Sequence, residues 1–114
     1  MNLEKFKELG FSDGQISVYS AVLDLGISTL NKIQEKTGID RRNIYDILNK
    51  LIERGLVSYS IEGGIRTYQC TNPNNILDEV RKKEAVLREI EDTLPQIKSI
   101  FNNKKPEIIS ETYR

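Results

Sequence analysis

Between Asp40 and Arg54 the sequence reads DRRNIYDILNKLIER, and its apolar residues Ile44, Ile47, Leu48 and Leu51 fall three or four apart. That spacing predicts a helix with one buried face, while Arg41, Arg42, Tyr45, Asn49 and Lys50 fall on or near the other. A shorter helical stretch, TLNKIQEKTGI, comes just before it. Gly38 is placed to leave that helix in a left-handed conformation, and Asp40 to cap the next one. Helix, short glycine turn and a second helix with a polar front make a helix-turn-helix pattern.

The rest of the chain supports this pair. Leu3, Phe6 and Leu9 predict a short helix over residues 2–9, closed by Gly10. Ser12 and Gln15 form a capping-box pattern, and Phe11 with Ile16 a hydrophobic staple. The helix they start, residues 13–25, is expected to bury Ile16, Tyr19, Val22 and Leu23 and to stop at Gly26. Thr29 is the expected cap of the helix that carries Leu30 and Ile33 inward. After Arg54 the period falls to two: Val57, Tyr59 and Ile61 alternate with polar residues, Gly63-Gly64 follows, and Ile65 to Cys70 alternate again. Two such runs about a Gly-Gly tip predict a β-hairpin with a primed turn. A hairpin behind a helix-turn-helix is a wing.

From Asn74 the pattern is helical and long. Val80, Leu87, Leu94 and Phe101 recur every seven residues, with Ile76, Lys83, Ile90 and Ile97 at the intervening positions. This heptad seam, polar only at Lys83, predicts a helix that pairs with a second copy, parallel or antiparallel. The expected dimer contacts are Ile76, Val80, Leu87, Ile90, Leu94, Ile97 and Phe101; packing back on the chain's own first domain is the alternative. Pro95 costs a helix interior about 3 kcal/mol, so the helix either kinks there or ends near Asp92 and restarts with Pro95 in its first turn. The fold expected is mainly α with a small β-hairpin: a winged helix-turn-helix over residues 1–72, a coiled-coil dimerisation helix over 73–103, and a linker or frayed tail over 104–114.

Composition narrows the function. The 114 residues include no histidine and one cysteine, Cys70, which removes the commonest general base, any internal disulfide and any cysteine-rich metal site. No nucleophile paired with a base stands out, so no enzyme, metal or cofactor is expected. No apolar run is long enough to span a membrane and no signal peptide opens the chain, which reads as cytoplasmic. Net charge is zero, and residues 28–70 hold the only clear, though small, positive excess. Non-specific affinity for nucleic acid is therefore expected to be weak and readout of bases or shape relatively important.

The succession LGFSDGQISVYSAVLDLG, then STLNKIQEKTGIDRRNIYDILNKLIERGLV, then the Gly-Gly wing with RTYQCTNPNNIL, resembles the N-terminal region of the TrmB-type transcriptional regulators, which are mostly archaeal. The resemblance covers roughly residues 3 to 102 and lies in the order and spacing of many positions. It implies a winged-helix domain that binds double-stranded DNA, followed by a dimerising coiled coil. Arg41 and Tyr45 match family positions on the recognition helix, and Arg66 and Tyr68 match the outgoing wing strand. Asp40 departs from the Pro usual there, which its capping role tolerates. The sugar-binding domain of longer members would begin about where KKPEIISETYR stops. The chain is thus either a piece of a longer regulator or a short member, and its effector is unknown.

The residues expected to meet DNA are Arg41, Arg42, Asn43, Tyr45, Asp46, Asn49, Lys50 and Arg66. Each has a plainer reading. The two arginines could be solvated surface, Tyr45 a half-buried core residue, and Arg66 the partner of Glu62 across the hairpin. Tyr19, Tyr59 and Tyr68 read as packing residues. The leading function is a sequence-specific regulator acting as a homodimer on a pseudo-palindromic operator. A winged-helix module that binds protein within the transcription machinery is the alternative.

Overall fold

A computed structural model describes residues 1–104 of the chain. In order these form a 3-10 helix at Glu4–Leu9, helix α1 (Asp13–Leu25), strand β1 (Ser28–Thr29), helices α2 (Leu30–Thr37) and α3 (Arg41–Glu53), strands β2 (Val57–Glu62) and β3 (Ile65–Cys70), and helix α4 (Asn74–Lys104). The described residues fall into two compact units, residues 1–80 and residues 81–104. The result is a winged helix with a small three-stranded antiparallel sheet and a long C-terminal helix. The expected linker beyond Lys104 lies outside the described residues.

Helix boundaries follow the side chains that satisfy them. Ser12, Thr29 and Asp40 each accept a hydrogen bond from the backbone N–H three residues on, at 3.1, 3.3 and 3.0 Å. A cap of this kind stabilises a helix by about 1 kcal/mol. The reciprocal half of the capping box is absent, because the Gln15 carboxamide instead accepts from Arg54. Gly38, at φ 74°, ends α2 in the left-handed conformation. At the far end of α3 the Leu56 N–H reaches the Leu51 carbonyl and the Gly55 N–H the Ile52 carbonyl, the double bond of a Schellman motif. Both ends of the second helix are thereby fixed.

The short helix expected over residues 2–9 is present at Glu4–Leu9, closed by Gly10, but it is not α-helical. Six residues between Leu3 and Gly10 close instead through bonds three apart, Phe6 N–H to Leu3 and Gly10 N–H to Lys7, the tighter winding that short segments adopt. The expected burial of Leu23 is also corrected. The buried stripe of α1 runs through Val18, Tyr19, Ala21 and Val22, Ile16 lies at its edge, and Leu23 rotates out to 39% exposure. Phe11, Ile33, Ile44, Leu48, Leu51, Leu56, Val57 and Tyr68 complete the core, and full burial of one such aliphatic side chain contributes about 1.5–3 kcal/mol.

The Gly63-Gly64 tip has φ of 57° and 78°, positive at both central positions as a type I′ turn requires. Its register sets Tyr59 opposite Tyr68, Ile61 opposite Arg66, and Glu62 opposite Ile65. A third strand of two residues, β1, pairs with β3 through Ser28 and Tyr68. Two residues are too few to show an alternation, so the sequence pattern predicted only the hairpin.

In the second unit α4 continues through Pro95, so the helix does not end near Asp92. One missing N–H leaves the turns on either side intact. Leu87, Ile90, Leu94, Ile97 and Phe101 are 45–63% exposed, and Val86 and Ile100, which the heptad pattern passed over, widen the same apolar stripe. Among the described residues no helix is long and apolar enough to cross a membrane.

Candidate nucleic-acid interface

The start of α3, the start of α2 and the wing border one open groove of about 900 Å³ in the first unit. Helix α3 contributes Arg41, Arg42 and Tyr45. The wing contributes Gly64, Ile65, Arg66 and Tyr68, and Thr29 to Asn31 form the remaining wall. All of these positions follow from the local folding already described. Asp40 fixes where α3 starts, so the residues of its first turn point away from the core helix face carrying Ile44 and Leu48. The primed turn then returns β3 antiparallel to β2 and pairs it with β1, which runs directly into α2.

Four of the expected contact residues, Arg41, Arg42, Tyr45 and Arg66, come together here. Tyr45 is 45% exposed and not a core residue. The Arg41 guanidinium donates to the Asn31 carboxamide oxygen, whereas no partner of Arg42 is found among the described residues. Asn43 points its amide back to Asp40, at 2.7 Å, and serves the cap. Asp46 and Lys50 are exposed on α3 and Asn49 is half-buried, all three away from the groove wall. Asn31 escaped the sequence reading because its side of α2 could be assigned only once the two helices were docked.

Arg66 does not pair with Glu62. The register turns Glu62 to the opposite face, and the Arg66 guanidinium lies over the Tyr59 ring with its carbon 4.0 Å from the ring centroid. Its pKa is raised above the ordinary guanidinium value, first by the Tyr68 side chain beside it and more weakly by Tyr59 and Tyr45, against a smaller opposing effect of burial. Three tyrosines from two strands and a helix thus surround one cation.

Ile76, expected at a dimer contact, is partly buried against the core of its own domain, and Val80 is half-buried. Arg54, at the C-terminal end of α3, is stacked 4.0 Å over the Phe11 ring. Its Nε meets Glu79 at 3.0 Å, Nη1 meets Gln15 at 3.0 Å, and Nη2 meets the Leu9 carbonyl at 2.7 Å as well as the second Glu79 oxygen. The far end of the helix is thereby tied to three other segments.

A helix-turn-helix with a glycine-tipped wing, and cations from both on one concave face, defines the winged-helix DNA-binding fold of transcriptional regulators. The chain belongs to the TrmB family: residues 6–74 match the family described as "Sugar-specific transcriptional regulator TrmB". Over 111 residues it is 26% identical to the "HTH-type sugar sensing transcriptional regulator TrmBL1" of Pyrococcus furiosus, a match that takes in 97% of this chain. The chain spans only 32% of the length of that relative. Among solved structures it is similar to TrmBL2, described as an archaeal chromatin protein with a novel mode of DNA binding (TM-score 0.69, 20% identity, 96% of this chain and 42% of that one). It is similar also to the ST1889 protein of the archaeon Sulfolobus tokodaii (TM-score 0.60, 20% identity, 83% of this chain and 99% of that one).

Proposed function

We propose that this chain is the DNA-binding region of a transcriptional regulator that acts as a homodimer on a pseudo-palindromic operator. The observation that carries this reading is the shared groove in which Arg41, Arg42 and Tyr45 of α3 stand beside Arg66 of the wing. Arg41 and Arg42 occupy the N-terminal turn of α3, the part of a recognition helix that reaches base edges in a major groove. A cation there opposes the helix dipole by a few tenths of a kcal/mol, a cost that contact with a guanine edge or a phosphate offsets. Arg66 serves the adjacent backbone or minor groove.

Support for the homodimer comes from the second unit, whose apolar stripe from Leu87 to Phe101 is exposed in the single chain. A second copy covers it along the heptad seam. The small positive excess of residues 28–70 favours a site read through bases and shape with few phosphate contacts. Sugar sensing belongs to the name of a relative about three times as long and is not part of this reading.

Selection of bound sequences from a random double-stranded pool tests the proposal. Enrichment of an inverted repeat, with half-site centres about one helical turn or a multiple apart, is the expected result. A pool that enriches nothing refutes operator recognition and favours the protein-interaction module.

A further inference from the structure

Arg66 and Arg54 are both stacked on an aromatic ring at 4.0 Å, and the difference between them assigns a role to Tyr59. A guanidinium stacks through its face and donates hydrogen bonds through its edge. At Arg54 the edge is filled by Glu79, Gln15 and the Leu9 carbonyl, so ring and acceptors together lock a structural cation. At Arg66 the face is covered in the same way, but the only polar side chain beside its edge among the described residues is the neutral Tyr68 hydroxyl, and no carboxylate or carbonyl takes it. The stack sits diagonally across the hairpin, since Tyr59 pairs with Tyr68 and Ile61 with Arg66, within the reach of an aromatic ring and a long side chain. Tyr59 is also 46% exposed and absent from the groove wall.

We propose that Tyr59 is a positioning residue, which holds the Arg66 guanidinium by its face so that its N–H edge is presented, already ordered, to DNA acceptors along the groove. This rests on the reading of the groove as a DNA interface. A free arginine on a wing loses much rotamer freedom when it is captured; one already stacked loses less. Tyr59 itself touches no DNA. Its hydroxyl is dispensable and its ring is not.

A double-mutant cycle on a selected operator, with folding checked by circular dichroism, tests this. Tyr59→Leu is expected to weaken binding about two- to fivefold, the range of an exposed cation–π contact, and to have no effect when Arg66 is already Ala. Tyr59→Phe is expected to bind as wild type. Nuclear magnetic resonance of the free protein supplies a second readout: the Arg66 side-chain protons are shifted upfield by the ring in wild type and Tyr59→Phe, and not in Tyr59→Leu. Equal losses from Tyr59→Leu in both backgrounds, a loss in Tyr59→Phe, or no ring shift at Arg66 overturns the positioning role. Should Arg66→Ala bind as wild type while the ring shift is present, the stack exists and it is the wing's part in DNA binding that fails.

Discussion

The Arg54 cluster offers the most quantitative test of how the recognition helix is held. Replacing Arg54 by Ala removes a bidentate pair with Glu79, a bond to Gln15, a bond to the Leu9 carbonyl and the stack on Phe11. The two charged side chains are 21% and 18% exposed, so the pair belongs neither with surface bridges worth about 0–1 kcal/mol nor with wholly buried ones, whose breaking costs about 3–5 kcal/mol. Weighting toward the middle, and adding about 0.5 kcal/mol for the lost stack, gives a loss of about 2–3 kcal/mol. Much of it comes from the Glu79 carboxylate left half-buried without its partner. Urea denaturation at fixed protein concentration should show the midpoint falling with the slope unchanged. For a domain of this size the melting temperature should fall by roughly 10–20 °C. Glu79→Gln, which keeps an acceptor but loses the charge, should cost about half as much. A loss below about 1 kcal/mol for Arg54→Ala would refute the reasoning, because the cluster would then be energetically equivalent to a surface pair.

On a selected operator, Arg41→Ala or Arg42→Ala is expected to cost about 1–3 kcal/mol and to relax preference at one base pair, whereas Arg66→Ala should weaken binding evenly across sequences; mobility-shift titrations on operator variants separate the two patterns. Leu87→Asp combined with Ile90→Asp should abolish self-association in sedimentation at tens of micromolar (roughly the range in which dimers of standard interface size persist), and a wild-type monomer there would contradict the proposed dimer. Burial raises the Cys70 thiol from 9.0 to about 11, so the folded protein holds the thiol neutral. At pH 8 alkylation should be about a hundredfold slower in the folded chain than in urea. The same shift leaves folding stability unaffected below about pH 9 and lowers it as the pH rises toward 11.

The helices were legible in the sequence because each carries its own boundary signals: Ser12, Thr29 and Asp40 at the starts, Gly38 after α2. The wing was legible because Gly63-Gly64 permits positive φ at two successive positions. What the sequence withheld depends on docking. Nothing in a two-residue segment such as Ser28-Thr29 announces a strand, since its pairing with Tyr68 and Thr67 is set by segments far along the chain. Leu23 misled because helical spacing defines a stripe only to within one residue. At the site, Arg41, Arg42, Tyr45 and Arg66 could be nominated by residue type and place. The Tyr59 stack, the Asn31 bond and the departure of Asn43 to the cap required knowing which side chains meet. Arg54 stood in the sequence as one more charge at a helix end, with no local pattern to reveal Glu79 or the Leu9 carbonyl.

The short strand β1 has a consequence for how the molecule assembles and opens. Ser28 and Tyr68 stand about forty residues apart in sequence, and closing so long a loop costs entropy before two residues of pairing can repay it. Every other element beside the groove forms through neighbours: α2 with α3, and β2 with β3 through a two-residue turn. The β1–β3 ladder should thus be among the last contacts to form on folding, once the core that buries Ser28 and Tyr68 has closed. Thr29 is at once the last residue of that strand and the cap of α2, so parting of the ladder frays the start of α2, while Tyr68 and Val57 keep the base of the wing in the core. One wall of the groove, Thr29 to Asn31, therefore depends on a pair of strand residues that carry no charge at all.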